Sequence, residues 1–92
     1  MRIADWPEHE RPRERLLHDG AAALADAELL AICLRTGVRG ASALDLARDM
    51  LQQAGSLRAL LTSPPRALAA RRGIGTAKSA QLLACVELTK RF

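Results

Sequence analysis

Aromatic residues are almost missing: the chain has one Trp, one Phe and no Tyr, with Trp6 and Phe92 near its two ends. A surface that reads single-stranded bases by stacking them on a row of rings is therefore excluded. Residues that favour strands are scarce too, since Val, Ile and Thr number nine against 18 Ala and 16 Leu. Alanine and leucine are strong helix formers, so the expected fold is all-α. The two cysteines, Cys33 and Cys85, have no CxxC partner and each lies in an apolar run (AICL, LACV). Both read as small buried hydrophobes rather than as a disulfide or redox pair. His9 and His18 stand in a polar region without cysteine ligands, so no metal site is expected. No apolar run reaches the roughly 18 residues of a membrane span and no stretch reads as a signal peptide, which points to a cytoplasmic protein. No His, Cys or Ser is paired with a base at a recognisable spacing, and Asp26 and Asp49 suit caps and solvated helix faces. A non-enzyme is expected, with no catalytic residue and no cofactor.

Acids are missing from the second half. Residues 1–49 carry seven Arg and nine acids, whereas residues 50–92 carry seven Arg or Lys and only Glu87, so the halves are about −2 and +6. A basic half of this kind commonly meets phosphate, and a solvated basic face is the alternative. Twelve of the 14 cations are Arg, the side chain suited to bidentate phosphate contacts.

Ninety-two residues suffice for one core. Residues 1–12, MRIADWPEHERP, read as an extended arm packed on the domain, with Trp6 as its anchor. Residues 13–92 read as a compact bundle of five or six short helices. RERLLHDG predicts a helix over Arg13 to Asp19, stopped by Gly20. In the next segment Asp26 is an N-cap or first-turn acid, Leu29, Leu30, Cys33 and Leu34 form one buried stripe, and the helix ends near Gly37. Ser42 caps a helix in which Leu44, Ala47 and Leu51 share a face and which Gly55 closes. Ser56 opens a short helix, and Ser63 caps another whose first residue is Pro64. A last helix is predicted from about Thr76 to Arg91. Its apolar groups Leu82, Val86, Leu83, Ala80, Ala84, Leu88 and Cys85 fall on almost every side, so it is either the centre of the bundle or awaits cover from another domain or subunit.

The stretch RRGIGTAKSAQLLA, residues 71–84, places a hairpin Gly73-Ile74-Gly75 between two helices. Glycine permits positive φ and carries no Cβ to hold a ligand away, and the first N–H groups of the following helix point outward with the positive end of its dipole behind them. This is an anion site built of backbone. Ile74 is expected to turn inward, Thr76 to add a hydroxyl, and Arg72 and Lys78 to reach neighbouring phosphate oxygens. The alternative is a plain interhelical turn that needs glycine for packing. A P-loop or dinucleotide-binding loop is not indicated, because there is no GK[ST] and no strand precedes the glycines.

Gly73, Ile74, Gly75 and Ala80, followed by Leu82 and Leu83, resemble the helix-hairpin-helix motif. That resemblance implies a grip on the sugar-phosphate backbone of double-stranded DNA without reading of sequence. Arg71 departs from it, since the motif has an aliphatic residue two positions before its first glycine. A second candidate hairpin lies upstream at Gly37-Val38-Arg39-Gly40, which would make the domain a pseudo-twofold pair of hairpins with Arg35 and Arg39 as further phosphate contacts.

The string DWPEHERPRERLLHDGAAALADAELLAICLRTG, followed by ASALDLARDML, GSLRALL and GIGTAKSAQLLACVELTKR, resembles the N-terminal domain of the RadC-type family of bacterial DNA repair proteins. His9, Ala25, Cys33 and Arg71 stand where that pattern has an acid, Ser, an aliphatic and an aliphatic. The resemblance implies a following C-terminal domain of JAB/MPN type, metalloprotease-like, with an HxH…D zinc motif. No such motif occurs in these 92 residues, so an isolated or truncated domain is expected. Two functions follow: a non-catalytic module binding double-stranded or branched DNA by its phosphates, or a protein-interaction or substrate-positioning module that serves the C-terminal domain.

Overall fold

A computed structural model describes residues 11–92. The readings of Trp6, of His9 and of the arm up to residue 10 lie outside the described residues. Six α-helices and one short 3-10 turn make up the described chain, with no strand among them. The all-α expectation holds. Two compact units divide the chain, one ending at Asp49 and the other spanning Met50–Phe92.

In the first unit α1 spans Pro12–Asp19. Proline at the first helical position costs nothing, because the N–H it lacks has no partner within a helix. Gly20 ends the helix at φ 89°, its N–H bonded to the Leu16 carbonyl at 2.9 Å. A 3-10 turn, Ala21–Ala23, leads to α2, Asp26–Leu34. Here Asp26 and Glu28 are first-turn acids, and Glu28 Oε1 accepts the Ala25 N–H at 2.9 Å. This is half of a capping box: alanine at position 25 has no oxygen with which to return a bond to the Glu28 amide.

Arg15 joins the three elements. It forms an ion pair with Glu28, its Nη2 donates to the Ala23 carbonyl at 3.0 Å, and its Nε lies 3.8 Å from Asp19. Leu24, Leu30, Ala31 and Leu34 are buried, while Leu29 and Cys33 are half-buried. The predicted stripe is therefore turned on the helix: Ala31 takes a core position and Leu29 the margin.

Ser42 and Asp45 form a complete capping box at the start of α3, Ala43–Ala54, with both bonds at 3.1 Å. From α3 the first unit buries Ala43, Leu44, Leu46 and Ala47.

The second unit begins within α3, where Met50 rather than Leu51 is buried. Gly55, at φ 94°, closes that helix. Ser56 caps α4, Leu57–Leu61, by accepting the Ala59 N–H at 3.0 Å. The prediction for Ser63 is corrected: its hydroxyl turns back to the Ala59 carbonyl at 3.0 Å and closes α4. Pro64 is the N-cap of α5, Pro65–Ala69, and Pro65 takes the first helical position. The physical reason is competition, because the final carbonyls of α4 also need donors and lie within the reach of a serine side chain.

α6 spans Gly75–Arg91, and both α4 and α5 pack on it. Leu60, Leu68, Ile74 and Leu82 form the buried centre of this unit. Burial of each such side chain stabilises the fold by about 1.5–3 kcal/mol. Among them sits the hydroxyl of Ser79, satisfied by donation to the Thr76 carbonyl at 2.9 Å.

Candidate nucleic-acid interface

α5 ends at Ala69, a tight turn follows, and α6 starts at Gly75. The Arg71 N–H donates to the Leu68 carbonyl at 3.2 Å, and the Arg71 carbonyl accepts the Ile74 N–H at 3.2 Å. Gly73 has φ 79°, Ile74 φ −94° and Gly75 φ 63°. The hand of the backbone thus alternates across the turn, with the Ile74 N–H taken up by the Arg71 carbonyl. At Gly75 the backbone angle, not crowding, demands glycine: an added Cβ would meet nothing within 4 Å. Ile74 is 4% exposed, so the apolar residue between the glycines anchors the turn in the core as expected.

Around that anchor the candidate residues stand together in sequence and on one end of α6. Arg72, Gly75 and Thr76 are exposed, Gly73 and Lys78 half-buried. No side chain caps the start of α6 and no acid lies in its first turn. Arg71 is turned the other way: it is half-buried, its Nη1 lies 3.4 Å from Gln53 Oε1, and its Nε is enclosed without a hydrogen-bond partner. Arginine thus occupies the place of the expected aliphatic residue with its stem inward, as long cationic side chains do at apolar surfaces.

The upstream turn divides differently. Val38 and Ala41 exchange two backbone hydrogen bonds, at 2.9 and 3.0 Å, and Gly40 takes φ 87°. Gly37 is crowded instead: a Cβ there would lie 2.1 Å from the Ala41 carbonyl oxygen. Glycine at this position permits the close approach of two backbone segments. Arg35 and Arg39 are exposed. Arg35 has φ 69° and ψ −51°, with the Thr36 N–H donating to the Leu34 carbonyl at 2.8 Å. That is a γ-turn of the rare positive-φ form, strained in any residue with a Cβ. No sequence signal announces it.

Among the described residues, the carboxylates with lowered pKa, Glu28 and Asp45, lie at helix starts of the first unit. The Ala25 amide, and then the Arg15 guanidinium, hold Glu28 below its ordinary value against the opposing effect of burial. The Ser42 amide and hydroxyl do the same for Asp45. Hydrogen bonds to the charged form explain both directions. Such groups support helices rather than chemistry. Among the described residues no cluster of three or more His, Cys, Asp or Glu is placed to hold a metal ion, and no helix is long and apolar enough to cross a membrane.

The cysteine expectation is corrected in part. Neither forms a disulfide, and Cys33 is half-buried and Cys85 exposed. Cys85 is exposed because α6 is covered on one side only. Ser79 and Leu82 are buried, while Ala77, Ala84 and Leu88 on the opposite side are exposed, Leu88 by 67%, as is the terminal Phe92.

Fold and site together define a small all-helical module, one unit of which presents a basic glycine turn between two helices. Its family is shown by sequence: the profile described as UPF0758 N-terminal matches residues 3–80, and the chain belongs to that family. Similar relatives are UPF0758 proteins of Chromobacterium violaceum, 60% identical over 91 residues, and Aeromonas hydrophila, 62% identical over 91 residues, in each case covering 99% of this chain. A UPF0758 protein of Tolumonas auensis is 56% identical over 92 residues. The chain spans only 41% of the length of each of these relatives. No solved structure matches it.

Proposed function

We propose that this chain is a non-catalytic, sequence-independent DNA-binding module that holds double-stranded or branched DNA by its phosphates through the turn at Gly73-Ile74-Gly75. The observation that carries the reading is the alternation of backbone hand at residues 73–75, over a buried Ile74, at the uncapped start of a 17-residue helix. Arg72, Thr76 and Lys78 supply the side-chain donors, and the turn with its flanks constitutes a helix-hairpin-helix motif. Arg35, Arg39 and Gly40 form a second contact point; Gly37 is the structural glycine of that turn. The resemblance to RadC-type proteins supports a role in DNA repair in the bacterial cytoplasm.

The test is fluorescence anisotropy of labelled duplex and four-way junction DNA at low and moderate salt. Wild type is compared with Arg72→Ala, Lys78→Ala and Gly75→Val, each checked for helicity. Two to four neutralised phosphates give a log–log salt slope of about −2 to −4, and each folded variant weakens binding. Absence of binding to both DNA forms at low salt overturns the reading.

A second reading is favoured by the outward side of α6. Ala77, Ala84 and Leu88 are exposed on the side opposite the buried one, as is Phe92 just past the helix, and the relatives are more than twice as long as this chain. On this reading the module docks on a C-terminal JAB/MPN-type domain and positions its substrate. One face can bind DNA while the other docks. Titration of such a domain into this one, followed by calorimetry with Leu88→Asp as the control, decides it.

A further inference from the structure

Arg71 is the residue at which two tight turns meet. Its N–H donates to the Leu68 carbonyl at 3.2 Å, closing the turn that follows α5, and its carbonyl accepts the Ile74 N–H at 3.2 Å, opening the glycine turn. The far ends of both turns are core residues, Leu68 and Ile74. Arg71 therefore stands three residues from a buried anchor on each side, midway along the path from α5 to α6.

Its side chain is held in an uncommon way. A surface arginine lays its stem on apolar groups and keeps its charged head in water. Here Nε, the first nitrogen of the guanidinium, is enclosed without a hydrogen-bond partner among the described residues. Nη1 lies 3.4 Å from Gln53 Oε1, on the part of α3 that belongs to the same unit. An enclosed donor without a partner costs stability, and a flexible apolar side chain such as methionine fills an irregular space without that cost. Stability of the fold therefore does not account for arginine at this position. Nor does a direct grip on a ligand, since Nε is closed off and Nη1 is directed to Gln53, while the neighbouring Arg72 is exposed. What remains is the bond itself, which ties the midpoint of the path to a residue eighteen positions away in sequence. The glycines give this tie its use: Gly73 and Gly75 have wide backbone freedom, so the form of the turn is held by its anchors.

We propose that Arg71 is a positioning residue of the glycine turn. Through Gln53 it fixes the backbone that carries Arg72, Gly73 and Gly75, and it does not itself touch phosphate. The proposal rests on the DNA-binding reading above and adds to it the contact that holds the site in shape.

The experiment is duplex binding by fluorescence anisotropy across a salt series for Arg71→Met, Gln53→Ala and the double variant, with thermal unfolding and amide hydrogen exchange of the same proteins. Each single variant is expected to lower affinity about threefold, near the lower end for one net hydrogen bond. The double variant falls no further, because both changes break the same bond. The log–log salt slope keeps its wild-type value, and the melting temperature of Arg71→Met stays level or rises. The Ile74 amide, bonded to the Arg71 carbonyl, exchanges faster in both single variants, whereas that of Leu82 does not. A slope shallower by about 0.9 in Arg71→Met marks a phosphate contact and overturns the proposal. Wild-type affinity in Gln53→Ala overturns it as well, as does a double variant weakened by the product of the two single effects. A melting temperature that falls together with affinity in Arg71→Met overturns it too, as a merely structural role. Each of these outcomes leaves the DNA-binding reading standing, whereas failure of the wild type to bind DNA at low salt removes both.

Discussion

The Thr36 amide donates to the Leu34 carbonyl at 2.8 Å, closing a three-residue turn around Arg35 at φ 69°. A side chain with a Cβ is strained there, and glycine is not. Arg35→Gly is expected to raise stability by about 1 kcal/mol relative to Arg35→Ala, which removes the charge and keeps the strain. Thermal unfolding of the two variants measures the difference. Equal melting temperatures would show that the turn is unstrained.

Two glycines of the same loop are expected to respond unequally to alanine. At Gly37 the new methyl would meet the Ala41 carbonyl oxygen at 2.1 Å, with the Ser42 and Ala43 backbone behind it. Backbone cannot give way as a flexible side chain does, so Gly37→Ala costs about 3 kcal/mol. Gly40 has open space around it and only its φ of 87° to resist a side chain, so Gly40→Ala costs about 1 kcal/mol. Urea denaturation of both variants ranks them.

Ala25 completes nothing at the start of α2, although its backbone is extended at φ −73° and ψ 161° and Glu28 already accepts its N–H. A serine oxygen at this position would reach the Glu28 amide. Ala25→Ser is expected to stabilise the chain by about 1 kcal/mol, read as a higher melting temperature than that of the wild type.

Glu28 and Asp45 are both held below their ordinary carboxylate values, by the Ala25 and Ser42 amides first of all. A group whose folded pKa is depressed contributes stability that is complete above its unfolded pKa and is lost as pH falls through the folded one. The contribution of these two is therefore full at neutral pH and declines below about pH 4. Melting temperatures from pH 7 to pH 3 should fall at the acid end, and Glu28→Gln/Asp45→Asn should flatten that fall.

Helix identity was legible in the sequence because its causes are local. Alanine and leucine favour helix residue by residue, Ser42 and Ser56 cap within three residues, and Gly20 and Gly55 end helices where positive φ is required. The inward turn of Ile74 between two glycines was legible for the same reason. Tertiary structure decided the rest. Which side of α6 is covered depends on α4 and α5, distant along the chain from Cys85 and Leu88, and so the exposure of both escapes a local pattern. Ser63 had two carbonyl and amide partners within reach, and the end of α4 prevailed over the start of α5. The inward stem of Arg71, the strain at Arg35 and the ion pair of Arg15 with Glu28 were set by packing between segments. Propensity acts over one helical turn, whereas burial and ion pairing act between residues that only the folded chain brings together.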